Sequence, residues 1–297
     1  FNQLAAELFL PLFWREDSDK DGALDGAELS VLWGFGEPGK RDPDHWVGGG
    51  LLTKNFAEAH KQIASQHSKG DAANTIPGPD GKRQAAVLKE LRQGRPTLIR
   101  TTFNDAKPQD RKLVRLIMDA AVVIEQIYAK QSGVAGMADL LPPQDTAGRM
   151  LLYRNQGPWC VAPKTERDPD CNAMNNKPPR VSGLYPKEVQ ADKDFCDKLA
   201  SRKDARSLMH HFHVVRGQGD KLKAKPYHEE WAGEMRMVAD LLTTAADLYA
   251  NDKAEAAFRT YLLDAAKAFR DGSWTDADEA WSQMNARNSR WYLRIGP

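Results

Sequence analysis

No apolar run in the 297 residues approaches the roughly 20 that a membrane-spanning helix needs. Charge of one sign is lacking too. Lys and Arg number 42 against 41 Asp and Glu, a formal +1, and the basic residues are scattered without interleaved aromatics. Neither a nucleic acid nor an acidic membrane surface is therefore indicated as a partner. Gly-x-Ser-x-Gly and P-loop patterns are absent, which removes the commonest signatures of serine hydrolases and P-loop nucleotide-binding enzymes. His228-Glu229 opens like a zincin His-Glu-x-x-His, but position 232 is Ala, so the second histidine is missing. Cysteine is scarce: Cys160, Cys171 and Cys196 are an odd set with no Cys-x-x-Cys spacing, which argues against zinc. Cys160 and Cys171 bracket a Pro- and Asp-rich loop that a disulfide would close; three free buried thiols is the other reading.

Against these absences stands one complete motif. Residues 17 to 28 read Asp-Ser-Asp-Lys-Asp-Gly-Ala-Leu-Asp-Gly-Ala-Glu, an EF-hand calcium loop with every position filled. Asp17, Asp19 and Asp21 take loop positions 1, 3 and 5, Gly22 the sharp turn at 6, and Ala23 the backbone carbonyl at 7. Asp25 at position 9 acts through a water, and Glu28 at 12 supplies the bidentate carboxylate. Five carboxylates so close repel one another without a cation, so Ca2+ is the expected ligand and the empty loop is expected to order poorly. Phe9, Leu12 and Phe13 before the loop, and Leu29, Leu32 and Trp33 after it, predict flanking helices, with Pro11 kinking or shortening the first. No second such loop occurs in the chain. Sensor EF-hands come in pairs, so a solitary loop points to a structural staple rather than a switch.

Elsewhere the periodicity is mostly helical. Helices are expected over 51–67 (Leu52, Phe56, Ala59 and Ile63 on one face), 83–92, 108–131 (Leu113, Leu116, Ile117, Ala120, Ile124 and Ile127), from about 226 (Trp231, Met235, Val238, Leu242, Ala245 and Tyr249), and through Phe258 to Phe269, stopped by Gly272. A short helix capped by Thr275 follows, and 97–103 and 291–295 alternate as strands. The stretch 141–183, rich in Pro, Asn and Asp, reads as an irregular packed crossover between lobes. His210, His211 and His213 cluster. On a strand, His211 and His213 share a face suited to two metal ligands, but no third ligand presents itself, so the reading is a histidine-rich strand end. The fold class expected is mainly α with a minor β component, two-lobed. Its segments are an EF-hand-like helix-loop-helix at 1–36, a helical lobe at 37–140 and a further region at 141–297.

The last region resembles a family. Gly183-Leu184-Tyr185-Pro186, Asp194-Phe195, Phe212-His213-Val214-Val215-Arg216, Leu222-Lys223-Ala224-Lys225-Pro226-Tyr227-His228-Glu229-Glu230-Trp231, Trp274 through Asp278 with Trp281, and Trp291-Tyr292-Leu293-Arg294-Ile295-Gly296-Pro297 follow in an order similar to zinc metallopeptidases related to dipeptidyl peptidase III. The resemblance covers about residues 140 to 297 and excludes the calcium loop. It implies a peptide substrate and a Zn2+ site on a His-Glu helix later than Pro297, so no catalytic residue carries over to this chain. The expectation is a non-catalytic front part completed by a C-terminal fragment of the same polypeptide. The alternative is a calcium-dependent peptide- or protein-binding module without catalysis. A start at Phe1 suggests processing or trimming. A disulfide beside a calcium loop suits an extracytoplasmic protein, periplasmic or secreted, with the cytoplasm as alternative.

Overall fold

The computed structural model describes residues 1–15, 17, 20–22, 28–32, 45–70, 79–97 and 106–297, without the side chains of 15 and 29–32. It is mainly α with a minor β component. Among the described residues the strands form three two-stranded antiparallel ladders. The chain makes two compact units, each from two stretches: 1–100 with 136–179, and 101–135 with 180–297. The expected cut after 140 does not follow this division. The 108–131 helix belongs to the second unit, because its apolar stripe packs on the helix Ala232–Asp247.

In the first unit the helix Asn2–Glu7 ends well before Pro11, and the chain then turns through Phe9 at φ 54°. Leu12–Arg15 and Leu29–Leu32 pair as antiparallel strands, Arg15 opposite Leu29 and Leu12 opposite Leu32. This corrects the expected helix-loop-helix: the acidic loop sits in a β-hairpin. Pro11 denies an entering helix its hydrogen bond there, and aromatic and β-branched residues such as Phe13, Trp14 and Val31 suit a ladder. Asn2 fixes the first strand by reciprocal bonds, its Nδ2 donating to the Phe13 carbonyl and its Oδ1 accepting from Phe13 N–H, both at 2.9 Å. Phe13 packs edge-on against Phe56, ring centroids 4.8 Å apart, over Ala59 and Ile63. The helix bearing them is Lys54–Lys69, three residues later than periodicity suggested. Thr53 caps it by accepting from Phe56 N–H, while Leu51–Leu52 pairs with Val47–Gly48 instead.

Pro79–Leu91 starts earlier than expected, since a proline costs nothing in a first turn. It packs on Thr146–Asn155, a helix hidden to sequence reading inside the 141–183 crossover. The expected 97–103 strand lies, Thr97 apart, outside the described residues.

The second unit is a helical stack. Pro108–Gln131 packs on Ala232–Asp247, which packs on Ala256–Asp271, which packs on Thr275–Gln283. Every expected stripe residue of the two long C-terminal helices is buried. Ala239, Ala245, Ala246, Ala265 and Ala266 let the helix backbones approach, while Leu242, Met235, Phe258 and Phe269 fill the spaces between. A break at Trp231 (φ −116°, ψ 44°) separates the short helix Tyr227–Glu230 from the long one. Gly272 ends its helix in the left-handed conformation at φ 79°, as expected. Thr275 does not cap the next helix; Trp274 occupies that position and makes no side-chain cap bond. The 291–295 segment forms no strand, and a side chain holds it: Ile295 N–H donates to Tyr261 Oη at 2.7 Å. His213–Arg216 pairs with Lys223–Pro226.

Where 180–186 meets the end of the 108–131 helix the backbones touch. A Cβ on Gly183 would lie 1.8 Å from the Lys130 carbonyl oxygen. Gly183→Ala is therefore expected to destabilise the protein by at least about 2 kcal/mol, through strain and lost backbone bonds. Gly233→Ala, in open space near the start of a helix, gains up to about 1 kcal/mol of helix propensity. Chemical denaturation of both variants checks the contrast.

Candidate functional site

The hairpin register holds both ends of the carboxylate run at one place. Asp17 stands two residues beyond Arg15, Glu28 one before Leu29, and Arg15 and Leu29 are paired. Gly22 has φ 81° and donates its N–H to Asp17 Oδ2 at 3.2 Å, so position 1 reaches over to the turn at position 6. Lys20 also takes a positive φ, 61°. Asp17 and Asp21 are exposed and Glu28 is half-buried. Asp19, Ala23 and Asp25 lie outside the described residues.

A second polar centre escaped sequence reading altogether. Glu90, fully buried on the Pro79–Leu91 helix, accepts from Arg154 Nη2 (3.0 Å), Asn155 Nδ2 (3.1 Å), the N–H groups of Val161 and Ala162 (both 3.1 Å) and the Thr165 hydroxyl. Burial pushes its carboxyl up, but the bonds from Thr165, Val161, Asn155 and Ala162 outweigh it and hold the group below its ordinary value. Beside it Cys160 and Cys171 form a disulfide, S–S 2.03 Å, and Cys196 is free and exposed. Closing this short loop contributes about 3 kcal/mol in the chain-entropy account. Glu90, Cys160 and Cys171 are the one group of potential metal ligands that converges among the described residues. It does not fit zinc, because both sulfurs are spent on each other and the carboxylate is occupied by five donors.

The three histidines do converge, though not as ligands. His210 stacks on His211 (centroids 4.6 Å, 13°) and lies 4.4 Å from His213. His211 precedes the strand, so the expected shared face with His213 does not form. Beyond them, an open cleft of about 160 Å³ in the second unit is lined by Phe212, Tyr261, Trp274, Asp278 and the 294–297 segment. Arg294 donates to Asp278 at 3.1 Å and lies 4.5 Å over the Trp281 ring. Burial pushes the Tyr261 phenol up, keeping it a neutral hydroxyl.

Glu90→Gln is expected to cost on the order of 3 kcal/mol, because it strands Arg154 and turns an NH2 group on neighbouring donors. Because the folded value is depressed, the stability Glu90 supplies is full above its unfolded value, about 4.3, and is lost as pH falls through the folded one. Urea unfolding at pH 7 and at successively lower pH will show the gap between wild type and variant closing.

No protein-family model matches the chain, and no curated protein matches its sequence. Solved structures do. A dipeptidyl-peptidase III from Corallococcus sp. strain EGB superposes with a TM-score of 0.54 at 20% identity, over 71% of this chain and 38% of that one. The DPP III from Caldithrix abyssi gives 0.54 and 22%, over 67% of this chain and 37% of that one. The chain thus shares the fold of part of the dipeptidyl-peptidase III structures, spanning less than two fifths of their length.

Proposed function

We propose that this chain is the N-terminal, non-catalytic part of a calcium-stabilised zinc metallopeptidase of the dipeptidyl peptidase III type, completed by a C-terminal segment of the same polypeptide. The observation that carries this reading is the shared fold over most of this chain and under two fifths of the matched structures. Zinc would then be held by the completing segment, since no described group here fits it. This chain's contribution is a wall for a peptide: the aromatic rings of Phe212 and Trp274 with the neutralised pair Arg294–Asp278 offer apolar surface without an uncompensated charge. An extracytoplasmic location, periplasmic or secreted, is supported by the buried disulfide. The reading is tested by the reading frame after the codon for Pro297, together with intact mass and zinc content of the native product. A frame continuing into a His-Glu helix is expected. A native product ending at Pro297, without companion fragment or zinc, overturns it in favour of a calcium-dependent peptide- or protein-binding module.

Calcium belongs to both readings. The Gly22 bond to Asp17 and the closing register of the hairpin fit one ion held by Asp17, Asp19, Asp21, the Ala23 carbonyl, Asp25 and Glu28. Binding stabilises the folded chain by mass action, about 2.7 kcal/mol at a hundredfold excess over Kd. Melting in chelator against millimolar calcium, with calorimetric titration, is the measurement. A lower Tm in chelator is expected, with Glu28→Gln weakening binding more than Ser18→Ala, since position 2 supplies no ligand. An unchanged Tm and no binding heat would leave the loop an acidic turn.

A further inference from the structure

The 210–213 turn joins two things that sequence alone keeps apart, a stack of imidazoles and the cleft wall. His210 Nδ1 accepts a hydrogen bond from the Phe212 N–H at 3.2 Å. An imidazole nitrogen can accept only while it carries no proton. His213 is placed differently: its Nδ1 faces the Ser207 carbonyl at 2.9 Å, so it donates, and protonation of its other nitrogen leaves that bond intact. Of these two histidines, His210 is therefore the one whose bond protonation breaks. Once charged, its ring would lie against His211 and His213 at centroid separations of 4.6 and 4.4 Å, where like charges repel.

Phe212 carries the consequence to the cleft. Its carbonyl accepts from Tyr227 N–H at 2.9 Å, and its ring packs 5.5 Å from Trp274 and 6.1 Å from Tyr227. Both Phe212 and Trp274 line the cleft. Of the two bonds that hold the Phe212 backbone, a proton removes the one its N–H makes to His210 and leaves the one its carbonyl accepts from Tyr227.

We propose that the His210–His213 turn is a proton-operated latch on the cleft: neutral His210 holds Phe212 against Trp274, and protonated His210 releases it. The charged and titratable groups acting on His210 are His213 at the start of its strand, His211 within the turn and Arg206 on the helix Ala205–Leu208. His210 is exposed, yet the slight desolvation of its ring, then His213, His211 and Arg206, hold the imidazole below its ordinary value, so the latch stays shut at neutral pH and opens on acidification. A base with a lowered folded value costs no stability above its unfolded value, about 6.5, and destabilises the turn as pH falls below it.

The test uses the full chain and NMR. The Trp274 indole cross-peak, assigned by its loss in Trp274→Phe, and the Phe212 amide are followed from pH 7.5 to pH 5. Both are expected to move together, with a midpoint below that of a free imidazole. His210→Asn keeps an acceptor oxygen where Nδ1 sits and cannot charge, so the transition should vanish. His210→Ala has no acceptor at any pH and should show the acid-state peaks already at pH 7.5. A wild type whose two peaks do not move, or a transition that persists in His210→Asn, overturns the latch.

Discussion

Much of the second unit hangs on one buried carboxylate. Asp110, in the first turn of the 108–131 helix, accepts from Tyr249 Oη at 2.9 Å and from Arg290 Nη2 at 2.6 Å, and Arg290 reaches on to Glu255 at 3.4 Å. Glu255 in turn accepts the Ser289 hydroxyl at 2.7 Å. Four stretches of chain far apart in sequence are tied at one point: the start of one long helix, the turn after a second, the start of a third, and the segment before Pro297. Burial, with Asp110 beside it, pushes the Tyr249 phenol up, so it remains a hydrogen-bond donor throughout the ordinary pH range. Stripes of Leu and Ala leave helices free to slide along one another; a charged knot at one end sets where they stop.

The first unit solves the same problem with Glu90. Its loops are long and poor in regular structure, so the backbone donors of 161 and 162 need a partner, and one ionised side chain supplies it. Arg83 does the converse, donating to the Ala173 carbonyl at 3.0 Å and to Asp145 at 2.6 Å, while Asp145 caps the helix behind it through Gly148 N–H. The disulfide lies within this network. The irregular crossover is therefore held by charge and a covalent bond where a helix would be held by its own ladder.

What the residues disclosed follows from which forces are periodic. Helical stripes repeat, so 108–131 and the two long C-terminal helices were legible to within a few residues, as was the stop at Gly272. The acidic loop was legible as a ligand pattern, yet its flanks were misread. Phe9, Leu12 and Phe13 satisfy a helical spacing and a strand equally well over so few residues, and Pro11 and the pairing of Arg15 with Leu29 decide for the strand. Glu90 and the Arg83–Asp145 pair gave no signal, because the partners that join them across the unit stand 62 or more residues away. The C-terminal segment alternates like a strand, but alternation does not provide a neighbouring edge, and Tyr261 and Asp278 hold it instead. Cys160 and Cys171 were left open for a similar reason: spacing permits a bridge, and only the fold brings the two Cα atoms to 5.8 Å.

The interleaving of the two units has a consequence for synthesis. The first unit lacks its 146–155 helix, its disulfide and the donors to Glu90 until the chain has been made through Cys171. By then the amphipathic 108–131 helix is already made, while the helix that covers its stripe is not. A nascent chain of this design carries an uncovered apolar face for more than a hundred residues of elongation. It would gain more from a holdase than a chain whose units follow one another in order.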